Sequence, residues 1–71
     1  MKVSINGKQE TLPDALSVSD LLASRKIRAE VVTVELNDAV LHRDQFHATH
    51  LKEGDRLEFL YYMGGGEWRD E

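Results

Sequence analysis

Arg56-Leu57-Glu58-Phe59-Leu60-Tyr61-Tyr62-Met63-Gly64-Gly65-Gly66 is the stretch on which the reading of this chain turns. Successive side chains of a strand point to opposite faces, so a strand over residues 56–62 sets Leu57, Phe59 and Tyr61 on one face and Glu58, Leu60 and Tyr62 on the other. Three consecutive glycines then stop the pattern. They offer no side chain to a core, and glycine loses more backbone freedom on ordering than any other residue. The run is therefore expected to be mobile and to lie outside the packed domain. The same lack of side chains lets it enter a channel that admits only backbone. From Met63 to Gly66 the extended reach is roughly 13–14 Å, at about 3.3–3.6 Å per residue.

Working outward from that strand, the β-branched run Val31-Val32-Thr33-Val34-Glu35-Leu36 is predicted to be a central strand. Asn37-Asp38 forms a turn, and Ala39-Val40-Leu41 pairs back. At the other end of the chain Val3 and Ile5 alternate with Lys2 and Ser4 as a half-buried strand. Asn6-Gly7 supplies a type I′ hairpin turn, in which both central residues need positive φ, and residues 8–12 return as the second strand. Pro13-Asp14 opens a loop. Ser17-Val18-Ser19-Asp20 has the form of a helix capping box, and Val18, Leu21 and Leu22 have the i, i+3, i+4 spacing of one apolar stripe. Arg25, Lys26 and Arg28 close this segment, where cations suit the negative end of the helix dipole. Residues 42–50 are polar, with a helical turn anchored by Phe46, and Glu53-Gly54-Asp55 is another turn.

Two strands, one helix and then three strands leave too few helical crossovers for a doubly wound sheet. The economical solution is α+β: a mixed sheet of four to five strands with one main helix packed across one face, the β-grasp (ubiquitin-like) architecture. Its first and last strands run parallel as central neighbours. The expected organisation is a β-grasp domain over residues 1–63 and a glycine tail with a five-residue extension over 64–71.

Composition narrows the function classes. Seventy-one residues without cysteine allow neither disulfide, thiolate metal site nor thiol nucleophile. A chain of this length has a thin core, resting on its 41 % hydrophobic residues, and little room for a deep catalytic pocket. Thirteen acidic against nine basic side chains give a net charge of −4, the wrong sign for a nucleic-acid binder. The N-terminus lacks a signal-peptide apolar region, and no stretch is long enough to span a bilayer. A cytoplasmic protein is the expectation.

No serine sits in a nucleophile-elbow context, and the paired carboxylates Asp14/Asp20 and Glu53/Asp55 belong to caps and turns. His42, His47 and His50 share a polar segment with Asp44, but no second anchoring motif accompanies them, so no metal site is assigned. The glycine run is not a phosphate loop, since no Lys-Ser/Thr and helix follow it. Leu60 and Tyr62 are expected to lie open beside the tail, and an exposed apolar patch marks a partner-binding surface.

Four segments together carry a resemblance: Ile5-Asn6-Gly7, then Leu36-Asn37-Asp38-Ala39-Val40-Leu41-His42-Arg43, then Leu51-Lys52-Glu53-Gly54-Asp55-Arg56-Leu57-Glu58, and finally the glycine run. In this order and spacing the chain resembles the small sulfur-carrier proteins of the ThiS/MoaD family, over residues 1–66. His42 stands where that family usually has proline, a change a loop tolerates. Asp55 and Gly66 are eleven positions apart, the spacing at which the family's last glycine falls. Gly65-Gly66 match its terminal pair, and Gly64 the more variable predecessor.

The resemblance implies a protein that is modified rather than catalytic. An E1-like adenylating enzyme of the ThiF type would use ATP and Mg to activate the carboxyl of Gly66, with no cofactor bound by the carrier itself. A sulfur donor enzyme would convert the adenylate to a thiocarboxylate, and the sulfur would pass to a thiazole synthase of the ThiG type for thiamine. Leu60 and Tyr62 would meet the adenylating enzyme. The family ends at the glycines, whereas Glu67-Trp68-Arg69-Asp70-Glu71 follow here, so a maturation protease is expected to cleave after Gly66. Other acceptors stay open at this point, in molybdopterin, cysteine or homocysteine formation, as does a non-covalent β-grasp interaction module.

Overall fold

In the computed structural model of the chain, residues 1–61 are described. The expectations placed on Tyr62, on Met63, on Gly64, Gly65 and Gly66 and on residues 67–71 fall outside the described residues. Five strands, β1 (Lys2–Ile5), β2 (Lys8–Thr11), β3 (Val32–Leu36), β4 (Ala39–Leu41) and β5 (Arg56–Tyr61), surround one helix, α1 (Val18–Ser24). Two short 3₁₀ turns, Ala29–Val31 and Arg43–Gln45, connect them.

The sheet order is β2-β1-β5-β3-β4. β5 is the central strand. It runs parallel to β1, with Ser4 opposite Arg56 and Ile5 opposite Leu57, and antiparallel to β3, from Val32 opposite Tyr61 to Leu36 opposite Leu57. Two hairpins complete the sheet, each built on the turn chemistry its residues dictate. Asn6 and Gly7 have φ of 51° and 83°, and Asn37 and Asp38 have φ of 52° and 73°, the paired left-handed conformations of a type I′ turn.

α1 begins where Ser17 caps it: Ser17 Oγ accepts from the Asp20 backbone N at 2.9 Å. Its stripe of Val18, Leu21 and Leu22 is buried with Val3 and Ile5 of β1, Val32 and Val34 of β3, and Leu57 and Phe59 of β5. Phe46 and Leu51 fill the rest of the core from the connection between β4 and β5. Among the described residues, one sheet face is therefore covered and the other carries no helix. No helix among the described residues is long and apolar enough to cross a membrane.

Two expectations are corrected. Val31 belongs to the 3₁₀ turn and not to the strand. The cations after the helix do not sit in its last turn: Arg25 is already the C-cap, Lys26 takes a positive φ of 59°, and Arg25 Nη2 instead pairs with Glu10 Oε1 on β2. Tyr61, which the alternation sets on the same face as Leu57 and Phe59, is 41 % exposed. It forms the terminal rung of the β3–β5 ladder, opposite the first residue of β3, and overhangs the end of the core.

Candidate functional site

β5 is the strand that precedes the glycine run in the sequence, and it is held from both sides. On the β1 side Ser4 N donates to the Asp55 carbonyl and Asn6 N to the Leu57 carbonyl, each at 2.9 Å. The Asn6 side chain adds a bond that spans the hairpin and the sheet, its Oδ1 accepting from Phe59 N at 2.7 Å. On the β3 side Asn37 N donates to the Arg56 carbonyl at 2.7 Å, and Asn37 Oδ1 accepts from Arg56 N at 2.9 Å. With Leu57 and Phe59 buried beneath α1, the strand is fixed by hydrogen bonds along both edges and by packing on one face.

At the entrance to β5 stands the buried carboxylate Asp55, 6 % exposed. Both its oxygens are satisfied: Oδ1 accepts from Asn37 Nδ2 at 3.0 Å and Oδ2 from Lys52 N at 2.8 Å. From the sequence, Asn6, Asn37 and Asp55 are turn residues within the segments that carry the resemblance. Their second role, clamping β5, depends on partners 18 to 53 residues away, which no local pattern reveals.

The helix-free face of β5 presents Arg56, Glu58 and Leu60. Arg56 makes a bidentate pair with Asp38, Nη2 to Oδ2 at 2.9 Å and Nη1 to Oδ1 at 3.2 Å. The hydrogen bond and the charge of Arg56 hold the Asp38 carboxyl below its usual value. In return Asp38, with a smaller attraction from Glu58, raises the guanidinium. Leu60 is 47 % exposed, which sets it on the open surface where the alternation puts it. Tyr62, the other residue assigned to that patch, lies outside the described residues, as do Gly64, Gly65 and Gly66. Val40 on β4, which the sequence reading did not assign to the surface patch, is the most exposed large apolar side chain among the described residues, at 57 %. A three-residue edge strand leaves it little to pack against.

His42, His47 and His50 are all exposed. Among the described residues no group of three or more histidine or carboxylate side chains is arranged to hold a metal ion. The backbone N of His42 donates to Gln45 Oε1 at 2.9 Å, which shapes the 3₁₀ turn.

A five-stranded mixed sheet with β1 and β5 parallel at its centre and one helix across it defines the β-grasp class, and in the sequence its central strand is followed by a glycine run. The chain belongs to the ThiS family, whose profile matches residues 3–66. It is similar to the thiamine biosynthesis protein ThiS of Geobacter metallireducens, whose crystal structure superposes with a TM-score of 0.80 at 51 % identity, covering 93 % of this chain and all of that one. The sulfur carrier protein ThiS of Bacillus subtilis (strain 168) is 31 % identical over 65 residues, 90 % of this chain and 98 % of the relative. A thiazole synthase of Magnetococcus marinus is 33 % identical over 67 residues. That match takes in 94 % of this chain but 21 % of the synthase, so the likeness is confined to about a fifth of the larger protein.

Proposed function

We propose that this protein carries sulfur as a thiocarboxylate on the C-terminal carbon of Gly66 and delivers it for the thiazole of thiamine. The observation that carries the reading is the extent of the family match, which stops on Gly66, the last of the three glycines. The names of the relatives, a sulfur carrier and a thiamine biosynthesis protein, support the chemistry. Likeness to part of a thiazole synthase supports an acceptor of that kind.

The chemistry follows from what a backbone carboxyl can and cannot do. A carboxylate is a poor electrophile, so an E1-like adenylating enzyme of the ThiF type lets one oxygen attack the α-phosphorus of Mg-ATP and pyrophosphate leaves. The acyl-adenylate now has a good leaving group. Sulfur at the oxidation level of sulfide, supplied by a donor enzyme, displaces AMP and leaves the thiocarboxylate. ATP and Mg act in the partner's site, and the carrier contributes the carboxyl, the reach of the glycines and a rigid strand behind them. In the sequence the Gly66 carbonyl is joined to Glu67. An amide cannot be adenylated at that carbon, so hydrolysis of the Gly66–Glu67 bond by a maturation protease precedes the first step. Leu60 and Tyr62 form part of the surface on which the adenylating enzyme docks.

The test is exchange of labelled pyrophosphate into ATP by the host's adenylating enzyme. A chain ending at Gly66 should support exchange, and the chain with residues 67–71 attached should not. Equal exchange by both would remove the cleavage step, and exchange by neither would remove adenylation.

A further inference from the structure

The edge strand β4 is three residues long and ends at Leu41, opposite Val34 of β3. β3 itself begins two residues earlier, at Val32, and after Leu41 the chain turns away into the 3₁₀ turn Arg43–Gln45. This early stop leaves a groove of about 330 Å³ at one corner of the sheet. Val32, Val40, Leu41 and Phe46 line it with apolar surface, and Glu30 and Arg43 line it with opposite charges. Proteins usually cover or blunt a sheet edge, yet the described residues leave Val40 57 % exposed here. Among them, Arg43 has no carboxylate within ion-pair distance, and Glu30 meets Arg28 only at 3.8 Å.

The sequence supplies an occupant. Residues 62–71 follow Tyr61, and Tyr61 stands opposite Val32, one wall of the groove. Trp68 comes seven positions after Tyr61, an extended span of roughly 23–25 Å. The groove lies over β3 and β4, one to two strand spacings from β5, or roughly 5–10 Å. The tether is therefore long enough to reverse and return, and Gly64-Gly65-Gly66 can reverse in conformations that other residues resist. Trp68 is the one tryptophan of the chain, and a tryptophan has roughly 150–250 Å² to bury. Its neighbours Glu67, Arg69, Asp70 and Glu71 sum to a charge of −2. Their carboxylates complement Arg43, and Arg69 complements Glu30.

We propose that residues 67–71 fold back in cis onto this corner, with the Trp68 indole against Val40, Leu41 and Phe46 and the carboxylates of Glu67 and Asp70 toward Arg43. The extension is then an intramolecular cover for the open end of the edge strand, lost when the Gly66–Glu67 bond is cut. While docked it draws that bond against the domain, so a maturation protease acts on the undocked form. The contact belongs to the uncleaved chain and does not depend on adenylation.

Because Trp68 is the single tryptophan, its selectively excited fluorescence reports on the extension alone, and the experiment uses the full-length chain. Emission should be blue-shifted and shielded from acrylamide relative to the same chain in urea, equally at every protein concentration. Arg43→Glu should move the emission toward the unfolded value, most strongly at low salt, with unchanged far-ultraviolet circular dichroism, and Arg43→Lys should keep it. In methyl-labelled protein, Trp68→Ala should shift the resonances of Val32, Val40 and Leu41. Emission equal to that in urea, or methyl resonances unmoved by Trp68→Ala, would overturn the proposal. A blue shift that grows with concentration would assign the groove to the extension of a second copy, against the contact in cis. A blue shift that Arg43→Glu leaves intact would place Trp68 elsewhere, also against it. No readout here involves pyrophosphate exchange, so failure of the fold-back leaves the sulfur-carrier reading standing, and failure of that reading leaves the fold-back.

Discussion

Asn37 Nδ2 donates to Asp55 Oδ1 at 3.0 Å across 18 residues, and this single bond joins the turn between β3 and β4 to the turn that launches β5. Asp55 is buried and also accepts from Lys52 N, while Asn37 also accepts from Arg56 N. Removing the carboxylate takes away both hydrogen bonds and leaves two part-buried donors without their acceptor, a loss of about 1–3 kcal/mol. Asp55→Ala is therefore expected to lower unfolding stability by about 2 kcal/mol, read from urea denaturation. An unchanged midpoint would mean that the two turns are held by the ladders alone.

Asn6 serves β5 twice, through a positive φ of 51° and through Oδ1, which accepts from Phe59 N. Glycine keeps the first and loses the second, whereas alanine loses both. Asn6→Ala should destabilise by roughly 1–2 kcal/mol more than Asn6→Gly, the cost of a left-handed conformation at a residue with Cβ. Equal losses would show that the hydrogen bond alone matters.

Leu21 is among the largest fully buried side chains and sits at the middle of α1. Truncation of such a leucine to alanine costs about 2–5 kcal/mol, against a total stability of about 4–11 kcal/mol for a domain of this length. Leu21→Ala should lower the thermal midpoint steeply and leave a measurable unfolded fraction at 37 °C by circular dichroism. Leu60→Asp, on the open face, should leave the melting curve in place and weaken binding to the adenylating enzyme.

The Asp38–Arg56 pair sets a pH dependence whose direction is fixed. Because the Asp38 carboxyl titrates below its usual value when folded, the pair is complete above the ordinary aspartate range and is lost as pH falls through that lowered value. Both side chains are largely exposed, so the effect is small and weakened by salt. NMR titration should give Asp38 a higher midpoint in Arg56→Gln than in the wild type. The same midpoint in both would show the pair to be absent in solution.

Much of this architecture could be read from local pattern, because the decisive elements obey short-range rules. Asn6-Gly7 and Asn37-Asp38 adopt the left-handed turns their side chains favour. Ser17 caps α1 as its position predicts, and the alternation in β5 separates Leu57 and Phe59 from Leu60. What escaped depends on distant partners or on where an element ends. Arg25 leaves the helix axis for Glu10, 15 residues earlier. Tyr61 keeps the predicted face yet overhangs the core because β3 begins opposite it. Glu35 and Glu58 become a pair only once the β3–β5 register is known, since neither strand alone shows it.

Sulfur carriage, as proposed, rests on one atom, the C-terminal carbon of Gly66. Intact-mass analysis of the endogenous protein, isolated from its host under thiamine limitation, tests it directly. The expected result is a chain ending at Gly66, with a second species heavier by the replacement of one oxygen by sulfur. A single species that retains residues 67–71 and carries no added sulfur would contradict it.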